Sequence, residues 1–242
     1  SYDPLPVERD RTRVAAAGFN MVSIFCYYEA LGSRNLLDCL ERCRRHGLMV
    51  NLSLRPGTPM DFRWDEMRAL VEGFRLAEND TVFAYDLAWE PSFGDYRSRQ
   101  RWDVEWEQWV RQRYGSVANA ETDWGVPIPR AEGKVTGPSD EQLSTEGRHR
   151  IMVCAYRRFL NDLLDRKHAR ANGLVKSIDP HHFTSFRMSI AGDPTVSPAR
   201  IAYDFRGLAR TVDIMEPEGY GRIGDWERVR PGRFTADYSR AT

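Results

Sequence analysis

Apolar residues in this chain fall into two alternating patterns. Short apolar runs are separated by stretches whose apolar positions recur at helical spacing, and the alternation continues through most of the chain. Residues 1–7 read as a loop. Glu8 to Ala17 predicts a helix with Val14, Ala15 and Ala17 on its apolar side and Gly18 as its stop. Phe19 to Phe25 is the first strand. Asn35 to Arg45 is a helix carrying Leu36, Leu37, Leu40 and Cys43 on one side, closed by His46-Gly47, and Leu48 to Leu54 is the next strand. Trp64 to Ala77 is a third helix, leading to a strand from Val82 to Glu90 that Pro91 ends. A long excursion, about 95–145, follows. A helix from Glu146 to Ala171 resumes the pattern, then a strand from Phe183 to Ser189, a shorter helical segment from Ile201 to Arg210, a strand from Thr211 to Met215, and a helix starting at Trp226.

Helices long enough for crossovers between strands predict a parallel sheet. Polar residues recur on one parity of three strands: Asn51, Ser53 and Arg55; Asp86 and Glu90; Ser185, Arg187 and Ser189. Side chains alternate sides along a strand. On the Val82–Glu90 strand, Phe83, Tyr85, Leu87 and Trp89 should therefore pack under helices, while Ala84, Asp86, Ala88 and Glu90 face the other way. A doubly wound sheet would cover both faces with apolar helices, whereas a closed barrel gathers one parity around its axis and tolerates polar groups near its mouth. The fold expected is α/β, a (β/α)8 TIM barrel. Five strands are recognisable, so the barrel is read as incomplete in this chain, with strands 2–6 present. Residues 1–242 form one domain with an insertion at about 95–145 after the fourth strand. No glycine-rich phosphate fingerprint follows a strand.

Composition changes this picture little. The 35 acidic residues equal the 35 basic ones, giving no reason to invoke nucleic acid or an anionic membrane. No apolar run reaches the ~20 residues of a transmembrane helix. No signal peptide is visible, which leans towards the cytoplasm without assigning a compartment. Cys26, Cys39, Cys43 and Cys154 do not have the spacing of a disulfide framework. Cys39, Cys43 and His46 share a helical spacing that suits a metal, but two half-buried thiols beside a helix C-terminus account for it better. No metal or cofactor is expected.

The candidate chemistry sits where the central strand ends. Glu90 places a carboxylate at the C-terminal end of a strand, where barrel folds put catalysis. Asp86 lies about two layers below it and should pair with Arg55 or Arg187, because a lone buried charge is costly. Arg55, Arg187, Tyr28 and Tyr220 follow or end strands and are candidates for holding a substrate. Trp102, Trp106, Trp109 and Trp124 are expected to form a core of their own within the insertion.

With these residues in view, the chain resembles the retaining glycoside hydrolases of clan A. In that clan the fourth barrel strand ends in Asn-Glu-Pro or similar, and Asp86-Leu87-Ala88-Trp89-Glu90-Pro91 is similar to it, with Trp89 where Asn is usual. A narrower resemblance is to family-42-type β-galactosidases. There a helix ending Tyr-Gly, an Asn and a Trp-Gly follow the acid/base, as Tyr114-Gly115, Asn119 and Trp124-Gly125 do here. The resemblance implies a retaining O-glycosyl hydrolase acting on a β-linked glycoside or oligosaccharide, with β-galactoside the narrowest substrate. Glu90 would be its general acid/base.

Retaining enzymes need a second carboxyl ~5–5.5 Å away as nucleophile. In the clan it lies on the seventh strand, which by the strand count falls beyond Thr242. Glu216 and Glu218, on one strand parity before Gly219, are the candidates for a second carboxylate within reach; Glu216 is expected either to take that role or to line the cleft or pair with Arg187. Trp89 offers one N–H and a large apolar face in place of the amide, and could stack on a sugar ring or fill space. It motivates the alternative of a barrel that binds carbohydrate without cleaving it. A metal-dependent barrel enzyme would need His and carboxylate ligands at strand ends, whereas His149, His168, His181 and His182 lie on helices or before a strand.

Overall fold

A computed structural model describes residues 3–25, 33–54, 60, 62–189, 201, 203–217, 237 and 240–241. The helices are α1 (Pro4–Ala16), α2 (Ser33–Arg45), α3 (Trp64–Gly73), α4 (Tyr96–Arg99), α5 (Asp103–Tyr114), α6 (Val117–Trp124), α7 (Asp140–Ser144), α8 (Arg150–Ile178) and α9 (Phe205–Leu208). The strands are β1 (Met21–Phe25), β2 (Met49–Ser53), β3 (Val82–Trp89), β4 (Arg130–Ala131), β5 (Lys134–Val135), β6 (Phe183–Arg187) and β7 (Ile214–Glu216). All the strands expected from the apolar runs form, and β4–β5 adds a short antiparallel hairpin inside the insertion.

The main sheet has five parallel strands in the order β1-β2-β3-β6-β7. Apart from the hairpin, each strand lies beside the one that precedes it in sequence. A doubly wound sheet reverses its order part-way, while a barrel winds in one direction. The sequential order therefore makes this a (β/α)8-type sheet of which five strands are described.

One parity carries the core. Val50, Leu52, Tyr85, Leu87 and Phe186 are fully buried and belong to a hydrophobic cluster with Met67, Leu70 and Val71 of α3 and Leu160, Leu164 and Ala171 of α8. The four tryptophans of the insertion are buried as expected. Trp106 stacks on Trp109 and Trp124 at 5.5 and 5.9 Å, and it also meets Tyr156 and Phe159 of α8, so this cluster is continuous with the crossover helix.

Several boundaries differ from expectation for physical reasons. Helix α1 begins inside the stretch read as a loop. Asp3 caps it by accepting from the Leu5 N–H at 3.0 Å, and Pro4 occupies its first position, where a missing N–H costs nothing. Helix α8 starts at Arg150 rather than Glu146 and continues to Ile178. The segment 201–210 is helical only over α9 among the described residues. The helix expected from Trp226 falls almost wholly outside the described residues. Cys39 and Cys43 are fully buried rather than half-buried, because α1 covers that side of α2; the Arg11 guanidinium lies 3.7 Å from the Cys39 sulfur. His46 contacts Glu8 at 2.7 Å, beside the Glu8–Arg42 pair at 2.6 Å. Among the described residues, no three His, Cys, Asp or Glu side chains lie together as metal ligands.

Candidate active site

The polar parity faces the other side of the sheet and converges on Arg187. Its Nη2 donates to Ser23 Oγ of β1 at 2.6 Å and to Glu216 Oε2 of β7 at 2.7 Å. The other Glu216 oxygen accepts from Asn51 Nδ2 of β2 at 2.6 Å. One guanidinium thus reaches both edge strands of the described sheet. Ser185, two residues before Arg187, lies 3.5 Å from Asn51 Oδ1 and extends the same layer. The expected pairing of Glu216 with Arg187 is present, and the expected pairing of Asp86 with Arg187 takes a looser form.

Asp86 sits beneath this layer, 1% exposed, with the Ser53 side chain and the Ala88 backbone as its polar neighbours besides Arg187 and Glu216. Arg187 Nε is 3.5 Å from its Oδ2, an ion pair without a hydrogen bond. Burial pushes the Asp86 carboxyl up to about 7; the Glu216 charge pushes the same way and Arg187 opposes both. Arg187 and Glu216 each keep 19% of their side-chain surface, so solvent reaches their level but not that of Asp86.

Strict alternation fails at the end of β3. Asp86 pairs with Ser185, but Trp89 pairs with Arg187, so three steps on β3 oppose two on β6. This irregularity turns Trp89 away from the helix side, where parity placed it, and onto the polar side. The Arg187 guanidinium lies 4.1 Å over its indole, and Phe25 packs against the same ring at 3.7 Å. Trp89 is therefore a packed residue of the barrel mouth.

Glu90 follows at once, half-buried, with φ +45°, a left-handed conformation that non-glycine residues rarely adopt. Beyond it the chain is fastened twice. The Tyr203 hydroxyl donates to the Pro91 carbonyl and accepts from the Ser189 N–H at 3.2 Å. Arg99, 1% exposed, donates to the Gly94 carbonyl at 2.8 Å and pairs with Asp140 at 2.8 Å, tying the loop after Glu90 to the far end of the insertion. Gly94 itself has φ +68°.

Of the residues singled out from sequence, the structure brings Glu216, Arg187 and Trp89 together, with Glu90 adjoining Trp89. Arg55, Tyr28 and Tyr220 lie outside the described residues. Sequence reasoning passed over Ser23, Tyr203 and Arg99, and it treated Asn51 only as part of a polar pattern. A lone Ser on a strand, a Tyr in a loop and an Arg among many arginines carry no periodic signal; their roles come from partners distant in sequence.

Fold and mouth together define the class: a (β/α)8-type barrel, five of whose strands lie among the described residues, with carboxylates at and near the strand ends. The chain is similar to the β-galactosidase from Rahnella sp. R3, with a TM-score of 0.64 and 16% identity over 90% of this chain and 37% of that one. It is also similar to the β-galactosidase from the Antarctic haloarchaeon Halorubrum lacusprofundi (TM-score 0.63, 16% identity, 90% of this chain and 38% of that one). A third similar structure is a mutant of a family-42 β-galactosidase from G. stearothermophilus (TM-score 0.63, 12% identity, 89% of this chain and 37% of that one). The chain thus spans well under half the length of the structures it matches. No family model and no curated protein matches its sequence.

Proposed function

We propose that this chain is part of a retaining β-glycosidase barrel, acting on a β-linked glycoside or oligosaccharide, with a β-galactoside as the narrowest substrate. Glu90 is the general acid/base. The observation that carries the reading is its place: the first residue past β3, at the C-terminal end of a parallel strand, on a backbone turned into the left-handed region beside the polar mouth. A carboxyl there can protonate a leaving oxygen and then activate water.

In this reading Glu216 organises the cleft rather than attacking the sugar. Both its oxygens are occupied, one by Asn51 and one by Arg187. The attacking carboxylate is then a residue other than Glu216. Trp89 forms a wall of the cleft, and Arg55, Tyr28 and Tyr220 are assigned to the sugar-binding rim.

Replacing Glu90 with Gln in the full-length protein should lower turnover of unactivated β-glycosides by about 10²–10⁴-fold, the usual contribution of general acid–base catalysis. Near-normal turnover would refute the assignment. A second reading is a barrel that binds carbohydrate without cleaving it, favoured by the packing of Trp89 under Arg187 where the resemblance has an amide. Saturable oligosaccharide binding by an unsubstituted protein that hydrolyses none of the sugars it binds would decide for it.

A further inference from the structure

The polar network of the mouth has a feature that the acid/base reading leaves unused. Arg187 is the register partner of Trp89, and Trp89 is the residue bonded to Glu90. We infer that Arg187 is a positioning residue for Glu90, acting through the indole of Trp89 rather than through the sugar; this rests on the reading of Glu90 as the acid/base.

Three observations support it. First, the guanidinium is itself immobilised. Ser23, Glu216 and Asp86 hold it from β1, β7 and β3 at 2.6, 2.7 and 3.5 Å. Second, its Cζ lies 4.1 Å from the centroid of the indole, the best of the aromatic faces for a cation. Third, Glu90 stands in a left-handed backbone conformation, which persists only where its surroundings over-determine it. Those surroundings are a clamp with two arms. Arg187 and Phe25 hold Trp89 on the near side of Glu90, and Tyr203 holds the Pro91 carbonyl on the far side. Tyr203 also accepts from the N–H of Ser189, two residues beyond Arg187, so both arms are rooted at the same end of β6. A lysine at 187 would keep the charge but lose the planar fork and the stacking.

The test compares kcat and KM of full-length variants on aryl β-galactosides with poor and good leaving groups, because a general acid matters most when the leaving group is poor. Arg187→Met and Arg187→Lys should each lower kcat by about 30-fold on the poor leaving group and by less than about 3-fold on the dinitrophenyl substrate, with KM little changed. Trp89→Ala should lose a similar amount, and Trp89→Ala combined with Arg187→Met should lose no more than the worse single variant. Three results would overturn the role. These are full activity in Arg187→Lys, a rise in KM equal for both leaving groups, or losses that multiply in the double variant. Glu90→Gln measured alongside separates the two claims. Leaving-group dependence there but not in the Arg187 variants removes only the positioning role, while none in either removes the acid/base reading beneath it.

Discussion

Asp86→Asn is the substitution whose effect on stability can be worked most directly from the structure. The wild-type carboxyl is 1% exposed and faces both Glu216 and Arg187. Its ionisation is pushed from the ordinary 3.8 up to about 7, burial being the largest cause. A carboxyl raised in the folded state favours folding while protonated. That contribution is complete below about 3.8 and is lost as pH rises through about 7. The difference of about 3 pH units corresponds to about 4 kcal/mol of folding free energy, absent above neutrality. An Asn of the same shape carries no charge to bury. Its stability relative to wild type should therefore improve by about 3 kcal/mol between about pH 5 and about pH 8. Urea denaturation of both proteins across that range measures it, each pair being compared at the same pH. Asp165 is also raised to about 7, by burial and the neighbouring Asp204 charge, and His168 titrates in the opposite sense; both cancel in the difference. A difference independent of pH would refute the reasoning, since the steric and hydrogen-bonding effects of Asn do not titrate.

Other sites give sharper yes-or-no outcomes. His168 is fully buried between Phe62 and Phe186, its Nδ1 donating to the Leu164 carbonyl at 2.9 Å and its Nε2 unpartnered; burial lowers it to about 4. The folded state thus refuses a proton that the unfolded chain accepts, so stability is complete above about 6.5 and falls by about 3 kcal/mol towards about pH 4. His168→Gln should flatten that acid limb in denaturation curves, and an unchanged limb would count against it. Gly137 leaves no room for a methyl group, because a Cβ there would sit 2.6 Å from the ring of the buried Tyr156. Gly137→Ala should cost about 1–3 kcal/mol, read as a fall in the thermal midpoint. Asp179, fully buried, accepts from the Tyr85 hydroxyl and contacts His182 Nδ1, both at 2.6 Å, and also accepts the backbone N–H groups of His181 and His182. Asp179→Ala strands the tyrosine hydroxyl and should cost about 3 kcal/mol by chemical denaturation; a loss below about 1 kcal/mol would show that water replaces the carboxylate readily.

The barrel was legible because hydrophobic period is a local property. Each strand announced itself by its apolar run, and the polar parity of Asn51, Asp86, Ser185 and Arg187 pointed to one shared interior before any pairing was known. The site was legible as far as local information extends: Glu90 before Pro91 marks a strand end, and Glu216 was matched with Arg187 because few buried charges can stay alone. Trp89 was placed on the wrong side because the irregularity that turns it arises from pairing with β6, about a hundred residues away in sequence. The same holds for Tyr203 on Pro91, 112 residues apart, and over a shorter span for Arg99 on Asp140. The start of α1 was in fact signalled, by Asp3-Pro4, and was missed because a proline-rich opening reads more readily as loop.

The added residue near the end of β3 has a consequence for how such a barrel can change over time. From Ala84 to Asp86 the strand is locked between β2 and β6 by regular pairing, and substitutions there are constrained by packing. Past the irregularity, Trp89 and Glu90 are placed by Arg187 and Tyr203 rather than by the ladder. The end of the strand is therefore a replaceable tip on a fixed shaft. Which residue is delivered to the mouth, and at what angle, can be revised by altering a few contacts, with the rest of the sheet left in register.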